Sequence, residues 1–177
     1  MLIDAITPLL LEHGQAVTTR QIAERAGIAE GTIFRAFGTK EELIRAAVDR
    51  QLDPEPFRRK LRAVDPSLPL EQRVRQIVSL MRERFTLVFT LMSALGTLGQ
   101  PHHHDARREF TEIIGDVLAA DLDRLRVAPE RAAQIMRMVS LAASVPRIRA
   151  GADFTDDEIA SLILYGIAGP ETPPATD

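Results

Sequence analysis

Three consecutive histidines, His102, His103 and His104, are the first residues of this 177-residue chain to suggest chemistry, because imidazole is a common metal ligand. Consecutive side chains point in different directions, however. No cysteine or well-spaced histidine follows to complete a ligand set, so no metal site is expected. Five serines, Ser79, Ser93, Ser140, Ser144 and Ser161, could act as nucleophiles only beside a base. They fall within helical patterns, no G-x-S-x-G or phosphate-cradling glycine loop occurs, and no histidine is spaced near them. The absence of cysteine excludes disulfide frameworks, thiolate zinc sites, iron–sulfur clusters and a cysteine nucleophile. Neither enzymatic activity nor a cofactor is expected, which leaves the chemistry of binding.

The overall balance of charge gives little help with a partner. The chain carries 22 Lys and Arg against 25 Asp and Glu, a net charge of −3, with 45% hydrophobic residues, and reads as an ordinary globular protein. A chain of this length buries roughly 70% of its unfolded surface and needs no metal or disulfide to hold its core. Its negative charge argues against general polyanion binding but leaves room for a local basic face. Met1-Leu2-Ile3-Asp4 does not read as a secretory signal. The most apolar stretch, Phe85 to Leu98, is broken by Thr86, Thr90, Ser93, Gly96 and Thr97 and falls short of the ~20 residues that cross a bilayer. No membrane association is expected, and the expected location is cytoplasmic.

Apolar residues recur at spacings of three and four without sustained alternation, which predicts an all-α fold. Gly14, Gly27 and Gly38 punctuate three helices over about 2–13, 18–26 and 29–37. A fourth begins at Thr39 and runs to the Asp53-Pro54-Glu55-Pro56 interruption. Thr18 with Gln21, and Thr39 with Glu42, have capping-box spacing. Pro8 is expected to kink the first helix or delay its regular part to about Thr7. Ile22, Ala26, Ile28, Ile33, Phe37 and Leu43 are expected to share a small core. Longer helices follow over roughly 56–64, 69–96, 104–125, 129–150 and 155–168, the last capped by Thr155 with Glu158. Residues 1–50 are expected to form one domain, 51–168 a larger helical domain, and 169–177 a proline-rich disordered tail.

Two short helices, Thr18 to Ala26 and Ala29 to Phe37, joined by a tight turn at Gly27, have the dimensions of a helix-turn-helix. A second helix of about eight residues fits the ~12 Å major groove and offers its N-terminal side chains to base edges. The run Leu11-Glu12-His13-Gly14, Thr18-Thr19-Arg20-Gln21-Ile22-Ala23-Glu24-Arg25-Ala26-Gly27-Ile28, Gly31-Thr32-Ile33-Phe34 and Phe37-Gly38-Thr39-Lys40-Glu41-Glu42-Leu43 resembles the DNA-binding domain of TetR-type transcriptional regulators. The resemblance covers about residues 2–50 and reaches the rest only in helix layout. It implies a homodimeric repressor of double-stranded DNA, with the third helix in the major groove of each half of a palindromic operator. A small effector in the C-terminal domain would weaken that binding. By the same resemblance Thr18, Thr32 and Lys40 are expected on phosphates and Arg35 on a base or phosphate, with Arg20 and Gly31 completing the set.

Some positions depart from the family pattern. Phe34 stands where tyrosine is frequent and lacks its hydroxyl, and Ala29 replaces a capping serine. Glu30 puts a carboxylate where lysine or arginine is frequent, and either accepts from cytosine N4 or repels DNA. No basic arm precedes the first helix. Residues 1–50 hold six Lys/Arg against seven Asp/Glu, a net of −1, so the electrostatic part of DNA affinity is expected to be modest.

In the larger domain Met81, Phe85, Phe89, Met92, Phe110, Ile114 and Val117 are expected to line a pocket for a small apolar effector, oriented by Thr86, Thr90 and Ser93. Apolar residues at helical spacing also form plain core. The segment from Arg131 to Val145 is apolar over more than one face. With the last helix it is expected to build a two-fold dimer through Val139, Ala142, Ala143, Ile159, Leu162 and Ile163. The competing reading is a helical protein-interaction module without sequence-specific DNA binding, for which Glu30 and the missing arm speak.

Overall fold

The computed structural model describes residues 2–96, 104–149 and 151–166, so His102, His103 and the expected tail over 169–177 lie outside the described residues. All regular structure in the described part is helical. The helices are α1 (Leu2–His13), α2 (Thr19–Ala26), α3 (Glu30–Phe37), α4 (Lys40–Leu52), α5 (Glu55–Arg62), α6 (Leu70–Ala94), α7 (His104–Leu118), α8 (Pro129–Ser144), α9 (Pro146–Arg149) and α10 (Asp156–Tyr165). They fall into two compact units, Met1–Pro54 with Leu87–His102, and Glu55–Thr86 with His103–Asp177.

In the first unit the helix ends are satisfied by the residues that punctuate the sequence. The Thr18 hydroxyl accepts from the Gln21 amide at 3.2 Å while the Gln21 side-chain carbonyl accepts from the Thr18 amide at 2.8 Å. Thr39 and Glu42 repeat the exchange at the start of α4, at 3.1 Å each way. Helix α1 runs from Leu2 with Pro8 inside it rather than becoming regular at Thr7. The ~3 kcal/mol cost of an internal proline is offset because Ile6, Leu9 and Leu10 around it are buried, at ~1.5–3 kcal/mol per large side chain. Ile6, Leu10, Val17, Ile22, Ile33, Leu43 and Ala47 form the core, joined by Leu91 and Leu95 from the end of α6 and flanked by Ile28 and Phe37. Gly14 shows how close that approach is. It sits at φ +56, and a Cβ there would lie 2.2 Å from the Ala94 carbonyl oxygen, so only glycine fits.

In the second unit Leu61, Val74, Ile77, Met81, Ile114, Leu118, Met136 and Ile159 belong to one core, and Phe57 stacks on Phe110 with ring centroids 6.4 Å apart. Helix α7 stops at Leu118, short of the expected 125. A 3-10 turn over Ala119–Arg124 follows, with Asp121 at φ −126, ψ 22. The Asp121 carboxylate is engaged there by the guanidinium of Arg73, which is only 2% exposed and also donates to the carbonyls of Leu68, at 2.9 Å, and Val117. Helix α8 stops at Ser144 rather than at 150. Pro146 disfavours helical backbone at the residue before it, and Val145 takes φ −94, ψ 113. Thr155 and Glu158 cap α10 as expected. No helix among the described residues is long and apolar enough to cross a membrane.

Candidate nucleic-acid interface

Helix α3 is held by one side and bare on the other. Ile33 is fully buried and Phe37, one turn on, is half-buried against the same core. Glu30, Gly31, Thr32, Phe34, Arg35 and Ala36 are exposed. At 3.6 residues per turn, Gly31, Thr32 and Arg35 share the side opposite the Ile33–Phe37 seam. Arg35 makes no hydrogen bond or ion pair with any described residue. Phe34, 48% exposed, flanks this face with a bare aromatic ring. Gly27 at φ +67 closes α2 through bonds to the carbonyls of Ala23 and Glu24, which sets the tight turn into α3.

The remaining expected residues are already partnered. The Thr18 hydroxyl accepts from Gln21 and donates to its side-chain oxygen at 2.9 Å, so its donor is committed to the cap. Arg20 donates through Nε to Glu24 at 2.9 Å. That bond, then the charge of Glu24, and to a lesser degree that of Glu30, raise the Arg20 pKa above the ordinary arginine value. Glu30 accepts a hydrogen bond from the Thr19 hydroxyl across the turn, which fixes its carboxylate at the start of α3. The Lys40 ammonium donates to the Gln15 carbonyl at 3.0 Å, which leaves two of its three donors for other partners. Neither Thr19 nor Gln15 stands out in the sequence. Their partners lie 11 and 25 residues away, and no periodic pattern records such a contact.

Of the residues expected around an effector, Met81, Phe110, Ile114 and Val117 are buried in the core of the second unit, and Phe85 packs against it. Phe89 and Met92 are half-buried on the part of α6 that belongs to the first unit. Of those expected at a dimer contact, Ala143 and Ile159 are buried in the chain's own core. Val139, Ala142 and Ile163 are half-buried, and Leu162 is exposed. Met138, 60% exposed, and Leu141 on α8, with Tyr165 on α10, are further large side chains left bare.

Residues 2–47 match the family model of bacterial regulatory proteins, tetR family. Over 50 residues the chain is 42% identical to the uncharacterised HTH-type transcriptional regulator YvkB of Bacillus subtilis, covering 28% of this chain and 26% of that one. Over 49 residues it is 43% identical to the HTH-type transcriptional repressor Rv3405c of Mycobacterium tuberculosis, covering 27% and 26%. The match thus spans about a quarter of these relatives. Solved structures are similar over nearly the whole chain. The TetR transcriptional regulator SCO0520 of Streptomyces coelicolor superposes with a TM-score of 0.58 at 20% identity, covering 92% of this chain and 94% of that one. The transcriptional regulator FadR of Bacillus subtilis, solved with stearoyl-CoA, gives 0.57 at 15% identity, covering 94% and 97%. At these identities the structural likeness establishes the fold.

Proposed function

We propose that this chain, a TetR-type transcriptional regulator, is a homodimeric repressor whose two α3 helices read a palindromic operator and which a small, mostly apolar effector releases. The observation that carries the DNA reading is the outer face of α3, where Gly31, Thr32 and an unpartnered Arg35 stand opposite a buried seam. Major-groove readout needs such a helix, rigid on its core side and uncommitted on the other. Glu30, held by Thr19, is set to accept from cytosine N4. Thr32 and the two remaining donors of Lys40 fix register on phosphates, and Arg20 adds a half-compensated charge. Thr18 acts chiefly as the cap that presents the motif.

The dimer reading rests on α8 and α10, which pack together and leave Met138, Leu141, Leu162 and Tyr165 bare, each pair three residues apart. Val139, Ala142 and Ile163 lie beside them, with Ala143 and Ile159 beneath. The stearoyl-CoA bound to the FadR neighbour supports an apolar effector. Helix α6 gives Met81 to one core and Leu91 and Leu95 to the other. An effector seated against Met81, Phe85, Phe110, Ile114 and Val117 therefore displaces a helix that also holds the reading head. A coupling of ~1–3 kcal/mol is a five- to 150-fold change in operator affinity. The protein acts by binding, in the cytoplasm, without metal or cofactor.

Selecting bound sites from random duplex DNA with the full chain tests this reading. The expected product is a short palindrome. On it, Arg35→Ala should cost ~1–3 kcal/mol and relax one base position, while Lys40→Ala should weaken all sequences alike and flatten the salt dependence. If no site is enriched, or sedimentation at micromolar concentration shows only monomer, the repressor reading fails and the protein-interaction module takes its place.

A further inference from the structure

The second unit contains a cavity of about 480 Å³ that shares no residue with the effector contacts proposed above. It opens among the first turns of α6, the loop after the 3-10 turn, the first half of α8 and the end of α10. Its floor is apolar, built by the buried side chains of Leu70, Val74, Leu118 and Met136. Its polar groups are Glu71, Arg124, Arg126 and Tyr165. The volume lies toward the small end of the roughly 300–1,000 Å³ range of small-molecule sites.

The polar groups differ in what they have left to offer. Glu71 accepts from the Tyr165 hydroxyl at 2.9 Å and from Arg124 at 3.2 Å, and Arg124 turns its other nitrogen to Asp121 at 2.9 Å. Those charges are spent on one another. Arg126 is exposed at the rim and makes no hydrogen bond or ion pair with any described residue. The lining therefore carries two guanidinium groups against one carboxylate. A cationic guest would meet an uncompensated positive charge, and a neutral one would leave Arg126 unused. An anionic head with an apolar tail satisfies both the rim and the floor. We infer that this cavity is a binding site for a small amphipathic carboxylic acid, its tail on the Leu70–Val74–Leu118–Met136 floor and its carboxylate on Arg126.

The site carries its own reporter. Tyr165 is the chain's single tyrosine and there is no tryptophan, so intrinsic fluorescence reads this cavity alone. The full chain is titrated with octanoate, with octan-1-ol and octylamine as neutral and cationic probes of equal tail length. Octanoate should change the Tyr165 emission saturably at millimolar concentration or below, and octanol and octylamine should bind about tenfold more weakly or worse. Arg126→Gln, an exposed loop change that leaves the fold alone, should weaken octanoate about tenfold and leave octanol unchanged. Ala132→Phe, which fills the cavity from α8, should abolish the response while thermal melting shows the chain still folded. Octanol binding as tightly as octanoate, octanoate binding that ignores Arg126→Gln, or no saturable change with the wild-type chain would each overturn the assignment. The titration contains no DNA, so its failure leaves the operator reading untouched.

Discussion

Replacing Arg73 by methionine should destabilise the second unit by about 3–5 kcal/mol, the range for breaking a buried ion pair. Arg73 is 2% exposed and is tied to the carbonyls of Leu68 and Val117 and to the Asp121 carboxylate. Methionine retains most of the packed stem, so the loss is polar rather than steric. Two carbonyls lose a donor, at ~1–3 kcal/mol for each buried group left unsatisfied. Asp121 is spared the full cost because Arg124 still donates to it at 2.9 Å. The partner change, Asp121→Leu, strands a guanidinium in the core and should cost at least as much. The double variant should cost clearly less than the two single losses together, because the second change removes a group the first had orphaned. Urea unfolding followed by circular dichroism reads these differences. In a chain of this size each kcal/mol moves the melting temperature by ~2–4 °C, so Arg73→Met should melt about 6–20 °C lower. Single losses under ~1 kcal/mol, or a double variant equal to their sum, would refute the view that this pair anchors the end of α7.

Gly31→Ala should raise stability by up to ~1 kcal/mol, since a Cβ there meets nothing within 4 Å and alanine is the better helix former. Operator affinity should nevertheless fall about tenfold, by the ~1.4 kcal/mol that crowding of a close backbone approach costs. An unchanged affinity in a binding titration would remove Gly31 from the contact set. Ser140→Ala should stabilise the fold by ~1 kcal/mol in thermal melts, because the Ser140 hydroxyl is fully buried with no hydrogen-bond partner. A lowered melting temperature would mean that the hydroxyl is satisfied after all. The Glu158 carboxyl is held below the ordinary glutamate pKa, first by donation from the Thr155 backbone amide and then by its hydroxyl. Its folded value lies below its unfolded one, so the cap stabilises above about pH 4.3 and that contribution fades as pH falls through the lower, folded value. Wild-type melting should therefore approach that of Glu158→Gln between about pH 5 and 3. A gap that stays constant with pH would contradict the assignment.

Local features were legible in the amino-acid order, because they depend on residues three or four apart. The three capping boxes, the Gly27 turn, the all-helical fold and the TetR-type motif over the first 50 residues belong to this kind. A cap needs only a hydroxyl, an amide and a short chain between them, so sequence alone specifies it. The bounds of α7 and α8 were less legible. Pro146 was present to be read, but apolar periodicity runs past it, and nothing near Asp121 announces that Arg73, 48 residues earlier, will engage it. The same holds at the reading head. Composition shows six cations in residues 1–50, yet only the tertiary structure decides that Lys40 leans on the Gln15 carbonyl, that Thr19 holds Glu30 and that Arg35 is left without a partner. It also decides that Leu91 and Leu95 complete a core begun at Ile6, with Gly14 cleared for the Ala94 carbonyl. The physical reason is one of range. Propensity and capping act along one or two turns of chain, whereas the partner of a charge and the neighbours of a buried side chain are set by which distant segments meet, and that is settled only when the whole chain has packed.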